Sequence, residues 1–207
     1  MSPPTRSGSP VWLVPPSEEA DLVARCRARE PAAFRALFER ERLRLHRLMY
    51  HLIGSNTHID DLLQDTFLEV FRSLPSFRGE SSLRTWIDRC AVRVAYAHFG
   101  RRARQPPLEA VPAEHSEAPS PEERTLRREA VRRLYSELDR LEPRQRMAFI
   151  LFAVQGRSLK EIAAIMNTSV ATAKIRTWRA RRALESRAQK DPLLSEFLDS
   201  GQSEEVA

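Results

Sequence analysis

The chain has little cysteine, no paired-cysteine motif and no long apolar run. Its 207 residues include only two cysteines, Cys26 and Cys90, which lie far apart among apolar residues at helical spacing. We therefore expect two buried thiols rather than a disulfide or a metal site. No apolar run approaches the roughly 20 residues that a membrane-spanning helix needs, and 30% of the residues are charged. We expect no membrane insertion.

Signals for secretion and for catalysis are also missing. The opening residues, MSPPTRSGSPVWLVPPSEE, have no basic start followed by an apolar core, so a cytoplasmic location is expected. The five histidines show no metal-ligand spacing. The sequence contains no P-loop and no convincing pair of nucleophile and base. These absences predict no catalytic residue, no metal, no cofactor and no enzymatic activity.

Charge is distributed unevenly along the chain, whose net charge is +6. Residues 126–190 contain 16 Lys and Arg against 6 Asp and Glu, whereas the tail from Asp191 onward is acidic. A basic segment of this kind indicates a polyanionic partner. The alternative is a solvated helical surface, but such a surface would intersperse the two signs more evenly.

Proline-rich stretches divide the chain. Residues 1–17 are rich in Pro and Ser and are predicted to lack fixed structure. Residues 105–123 contain five prolines and are predicted to form a flexible linker that cannot hold a helix. Two domains are therefore expected, over residues 18–104 and 124–190, followed by an acidic tail over residues 191–207.

Between these breaks, apolar residues recur with the period of an α-helix. Pro31 suits the first position of a long helix that Gly54 ends. The stretch SFRGESS, residues 76–82, is predicted to be a loop in which Ser81 or Ser82 caps the next helix. No stretch shows sustained β alternation. The predicted fold class is all-α, with two small helical domains.

The stretch from Ser158 to Leu184 has the pattern of a helix-turn-helix. Ser158 and Glu161 form the S-x-x-E signature of a capping box at the start of a short helix. Asn167 lies where a left-handed residue is needed, and Ser169 can cap the second helix. In proteins with this motif, the second helix enters the major groove of DNA.

Cations crowd this second helix. Thr172, Lys174 and Arg176 lie early enough to reach base edges, and later arginines can reach phosphates. The alternative is a structural hairpin, and the density of arginine favours DNA binding. The residues predicted to bind DNA on this motif are Ser169, Thr172, Lys174, Arg176, Arg179 and Arg182.

Three segments resemble bacterial RNA polymerase sigma factors of the small extracytoplasmic-function (ECF) type. They are DLLQDTF at residues 61–67, SFRGESSLRTWI at residues 76–87, and LEPRQRMAFIL at residues 141–151. The resemblance implies sigma domain two, which binds core RNA polymerase and the −10 promoter element, and sigma domain four, which binds the −35 element. It also implies promoter-specific initiation and control by an anti-sigma factor. The helix-turn-helix residues would then contact the −35 element.

The resemblance also assigns roles to residues of the first domain. The exposed face that binds polymerase would comprise Asp61, Gln64, Asp65 and Leu68, with Leu63, Phe67 and Val70 in the core. A loop that accepts a flipped-out −10 base, together with an arginine-bearing helix, would comprise Arg78, Gly79, Glu80, Ser81, Ser82, Arg84, Trp86, Arg89 and Arg93. The three arginines of the helix are expected to be exposed, whereas Trp86 could stack on a base or pack in the fold.

Other functions stay open at this point. A free-standing helix-turn-helix regulator could bind DNA as a homodimer, although no dimer seam or ligand domain is evident and DLLQDTF would then have no purpose. An enzyme acting on nucleic acid would need the catalytic groups that the sequence lacks. A protein whose helices only bind a partner is compatible with control by an anti-sigma factor. Co-purification with core polymerase distinguishes the first alternative from a sigma factor.

Overall fold

A computed structural model describes residues 18–102 and 121–192, and these residues form helices and loops without a β-strand. The eight α-helices in these ranges are α1 (Glu18–Arg27), α2 (Pro31–Ile53), α3 (Ile59–Ser73), α4 (Leu83–Arg102), α5 (Pro121–Asp139), α6 (Pro143–Phe149), α7 (Leu159–Ile165) and α8 (Val170–Ala188). A short 3-10 turn, Leu74–Ser76, follows α3, and a π-helical turn, Ile150–Val154, follows α6. The all-α prediction is confirmed.

Helices α1, α3 and α4 pack around the apolar face of α2. Pro31 opens α2 because a first-turn residue needs no backbone N–H, and Gly54 ends it with a φ of 78°. The leucine stripe of α2 is buried against α3 and α4. Ring contacts add to this packing, because Phe38 and Phe67 lie 4.7 Å apart between their centres. The first half is therefore a helical core built on one long helix.

Helices α5 to α8 form the second half, in which α6 packs against α8. Helix α5 begins at Pro121, inside the stretch 105–123 that was predicted to be unable to hold a helix. That boundary is wrong because proline is compatible with the first turn of a helix. The predicted disordered segment 1–17, the rest of the predicted linker up to residue 120, and residues 193–207 of the acidic tail lie outside the described residues.

Core positions follow the helical pattern with small shifts. Cys26 and Cys90 are buried and free, as predicted, and burial raises the pKa of both thiols. Leu63 is only half-buried, whereas its neighbour Leu62 is fully buried together with Phe67 and Val70. The phase of α3 is thus rotated slightly from the predicted one.

The two halves pack directly on each other. The Arg146 side chain from α6 donates to the backbone oxygens of Leu52 (3.0 Å) and Ile53 (2.7 Å) at the end of α2. The Tyr135 hydroxyl of α5 donates to the backbone oxygen of His51 over 3.1 Å. Helix α7 also lies against α4. No pattern in the sequence indicates this contact between the halves.

Candidate nucleic-acid and polymerase interface

The helix-turn-helix is built as its sequence predicts. Ser158 Oγ accepts from the backbone N–H of Glu161 over 3.3 Å, and the Glu161 carboxylate accepts from the backbone N–H of Ser158 over 2.9 Å. This capping box lowers the pKa of Glu161, mainly through the backbone hydrogen bond from Ser158. Asn167 adopts a φ of 48°, and Ser169 Oγ accepts from the backbone N–H of Thr172 over 3.1 Å. These local bonds fix where α8 begins and how it leaves the turn.

Helix α8 presents one face to the core and the opposite face to solvent. Its inward face consists of small and apolar residues, namely Ala173, Thr177, Ala180, Leu184 and Ala188. Of the predicted DNA-binding residues, Ser169, Lys174, Arg179 and Arg182 are exposed. Thr172 and Arg176 are half-buried at the edge of the inward face. Most of the arginine-rich face is therefore open to solvent while the two halves are packed together.

Two exposed apolar residues in the middle of α8 were not predicted to be functional. Ile175 and Trp178 are 48% and 57% exposed and lie opposite the buried stripe. The Arg182 guanidinium lies 5.5 Å from the centre of the Trp178 ring, within cation–π range. The spacing of Ile175 and Trp178 from the inward-facing Ala173 and Thr177 could have predicted that the two residues are exposed. Residues about half a helical turn away from a buried position face outward.

The four residues predicted to bind polymerase lie on one exposed face of α3. Asp61, Gln64, Asp65 and Leu68 follow the i, i+3, i+4, i+7 spacing, and all four are exposed. Leu68 is 59% exposed and is the apolar member of this face. The structure thus brings these residues together as an acidic patch with one apolar side chain.

The loop before α4 is open to solvent. Arg78, Gly79, Glu80 and Ser82 are exposed, and Ser81 is partly exposed. Gly79 has a φ of 76°, and a Cβ atom added to it would meet no atom within 4 Å. Ser82 Oγ accepts from the backbone N–H of Thr85 over 3.2 Å and so caps α4, one of the two alternatives predicted.

Helix α4 only partly matches the predicted nucleic-acid surface. Arg84 and Arg93 are exposed, although Arg93 also donates to Glu69 over 2.8 Å. Arg89 departs from the predicted exposure, because it is half-buried and its Nε donates to the backbone oxygen of Ala164 in α7 over 3.0 Å. The half-buried Trp86 ring packs 5.3 Å from the Phe77 ring, between centres.

Both halves match known families. Residues 37–105 match the family described as Sigma-70 region 2, and residues 131–184 match Sigma-70, region 4. The ECF RNA polymerase sigma-E factor of Haemophilus influenzae is 32% identical over 178 residues, which cover 81% of this chain and 94% of the relative. The same factor of Escherichia coli K12 is also 32% identical, over 81% of this chain and 93% of the relative. The chain belongs to the ECF sigma factor family.

Solved structures show the same fold. This ECF sigma factor is similar to CnrH, solved in complex with the cytosolic domain of CnrY, with a TM-score of 0.60 and 24% identity over 84% of this chain and 98% of the other. It is also similar to the sigma factor RpoE of Bartonella quintana, solved with the anti-sigma factor NepR, with a TM-score of 0.58 and 24% identity over 76% and 98% of the two chains. In this ECF sigma factor, no helix of the described ranges is long and apolar enough to cross a membrane.

Proposed function

We propose that this ECF sigma factor binds core RNA polymerase in the cytoplasm and directs initiation at promoters that carry −10 and −35 elements. The observation that carries this proposal is the placement of an outward-facing, arginine-rich recognition helix in the region 4 match, on the same chain as an exposed acidic face in the region 2 match. The factor supplies recognition and has no catalytic activity of its own.

Each surface has a role in this proposal. Asp61, Gln64, Asp65 and Leu68 on α3 bind core polymerase. The loop at residues 78–82 accepts a base flipped out of the −10 element, where its exposed polar groups offset the few kcal/mol lost with base stacking. Arg84, Arg89 and Arg93 hold phosphates nearby, and Trp86 positions the loop or stacks on a base.

The recognition helix contacts the −35 element. Lys174 and Arg176 reach base edges from the first half of α8, together with Thr172. Ser169, Arg179 and Arg182 hold phosphates and fix the register of the helix in the major groove. The domains proposed for these roles are residues 18–104 and 121–190, the second beginning with α5, and residues 105–120 join them.

An anti-sigma factor is the proposed regulator. The similar structure of RpoE from Bartonella quintana contains the anti-sigma factor NepR. This chain has exposed apolar residues in both halves, including Leu43 and Leu68 in the first and Phe152 and Trp178 in the second. Such residues offer contacts to a partner that covers both halves at once.

Run-off transcription tests the proposal. Genomic fragments that bind the reconstituted complex of this protein and core polymerase are selected and used as templates. We expect discrete transcripts that depend on both the added protein and the selected sequence. Transcription that is unchanged by the protein on every template would refute the proposal.

A further inference from the structure

We propose that residues 193–198 of the acidic tail form a helix that packs along the first half of α5 and covers its exposed leucine, Leu126. The receiving surface, called the tail-binding row, consists of Leu126, Ala130 and Leu134, which follow the i, i+4, i+8 spacing of one helix face. This inference is independent of polymerase and promoter binding, because it concerns the packing of the chain on itself.

The tail-binding row is covered at one end and open at the other. Leu134 is half-buried and Ala130 is 2% exposed, whereas Leu126 is 58% exposed. Within the described part of the chain, the core of the second half therefore reaches as far as Ala130 and leaves most of the Leu126 side chain in solvent. A segment that continues this packing toward the start of α5 would cover Leu126.

The end of α8 and the turn after it run antiparallel to α5. Arg187 donates to the backbone oxygen of Glu137 over 3.0 Å. Four residues later, Asp191 accepts from Arg133 with both carboxylate oxygens, over 3.0 and 3.1 Å. Each step forward along the chain is thus matched by an equal step backward along α5. The pair of Arg133 and Asp191, called the anchor pair, holds the start of the tail beside α5.

The same register leads the tail to the open end of the row. Pro192 has helical geometry and suits the first position of a helix. Three residues beyond the anchor pair, the register places Leu194 opposite Ala130, and seven residues beyond it places Leu198 opposite Leu126. A helix from Pro192 to Leu198 spans about 9 Å, and Leu126 lies about 10 Å along α5 from the anchor pair, at about 1.5 Å per residue. The tail is therefore long enough to cover the leucine.

The composition of the tail matches this surface. The sequence LLSEFL, residues 193–198, has apolar residues at the i, i+1, i+4 and i+5 positions, which form one face of an amphipathic helix. Residues 193–207 contain four acidic residues and no Lys or Arg, whereas residues 124–133 of α5 contain five arginines and one glutamate. Apolar contact and opposite charge therefore both favour packing of the tail on α5.

The outward face of α8 is the other surface whose charge suits an acidic segment. Trp178 and Arg187 lie about two and a half turns apart on α8, so they occupy opposite sides of the helix. Since Arg187 contacts α5, the tail leaves α8 on the side away from Trp178. The register of the contacts thus favours α5 as the binding surface.

Paired cysteines in the full chain test this placement. Leu126→Cys with Leu198→Cys puts a thiol on each side of the proposed contact, and Trp178→Cys with Leu198→Cys tests the outward face of α8. The native Cys26 and Cys90 are buried and free, so the parent chain serves as the control for unwanted crosslinks. Disulfide formation in oxidised glutathione is followed on non-reducing gels and located by peptide mass.

We expect the cysteines at positions 126 and 198 to crosslink within one chain at least about tenfold faster than those at positions 178 and 198. Equal or faster crosslinking to position 178 would overturn the proposed placement. The absence of an intramolecular crosslink to position 126 would overturn it as well.

A charge placed in the tail gives a second test that needs no new cysteine. Leu198→Asp puts a carboxylate on the apolar face of the tail, whereas Val206→Asp adds the same charge outside that face. We expect Leu198→Asp to speed backbone hydrogen exchange in residues 125–131 of α5 about fivefold or more, and Val206→Asp to match the parent. Equal exchange rates in the two variants would show that the tail does not cover α5.

Discussion

At the scale of single residues, helix α8 offers two kinds of contact to DNA. Exposed cations such as Arg179 and Arg182 can neutralise phosphates, which strengthens binding to any sequence. Side chains that reach base edges discriminate between sequences. Arg176 leaves the helix at the edge of the buried face, where a long guanidinium side chain can still extend beyond the core. Its proposed role is the reading of a base.

Replacing Arg176 tests that role. Arg176→Ala should weaken binding to the preferred −35 sequence by about 1–3 kcal/mol and relax the preference at one position, while polymerase binding stays intact. Binding of the reconstituted complex to a panel of −35 variants measures this. Arg181→Ala is the control, since Arg181 is exposed on the same helix and pairs with Glu185. An unchanged −35 preference in Arg176→Ala would show that another residue reads the base.

A second prediction concerns the exposed face of α3 and its binding to core polymerase. Gln64→Ala combined with Asp65→Ala removes two polar groups from the proposed polymerase-binding face without touching the buried side of the helix. We expect weaker binding to core polymerase and unchanged thermal stability. Arg72→Ala is a matched control, because Arg72 lies on the same helix and its side chain is 80% exposed. Equal polymerase affinity in the double variant and the control would argue against this face.

At the scale of helices and turns, most boundaries could be predicted because they depend on local chemistry. Pro31, Gly54, Ser158 and Asn167 act within one turn of their own position, and each does what the sequence predicts. The π-helical turn at Ile150–Val154 was not predicted, since its apolar run is compatible with a continuous helix. The start of α5 was misplaced because a proline can open a helix as well as end one.

The capping box at α7 gives a prediction for stability. Ser158→Ala should lower the free energy of unfolding by about 1 kcal/mol, because it leaves a backbone N–H of the first turn without a partner. Urea unfolding measures this change in free energy. Ser186→Ala is the control, because Ser186 is an exposed serine. A variant as stable as the parent would mean that solvent replaces the cap at no cost.

The same box makes the stability depend on pH. The pKa of Glu161 is lowered in the folded chain, so its ionised form stabilises the fold above the ordinary pKa of glutamate. That contribution disappears as the pH falls through the lowered pKa. The stability difference between the parent and Glu161→Gln, measured by urea unfolding, should therefore shrink as the pH falls below the ordinary pKa of glutamate, about 4.3.

At the scale of the whole molecule, the sequence separates two helical halves but does not reveal that they touch. Asp88 and Arg146 have the appearance of surface charges on amphipathic helices, and only the tertiary structure shows that both are buried between α2, α4 and the second half. The exposure of Arg89 was mispredicted for the same reason. Long-range pairing of this kind leaves no periodic pattern in a single sequence.

The proposed function requires that one chain read two separated promoter elements while it is bound to polymerase. A nuclease footprint of the reconstituted complex on a selected promoter tests this most directly. We expect two protected regions centred about 25 base pairs apart, with melted bases in the downstream one, and no comparable footprint from the protein alone. A single symmetric site protected by the protein without polymerase would contradict this function and would indicate a homodimeric regulator instead.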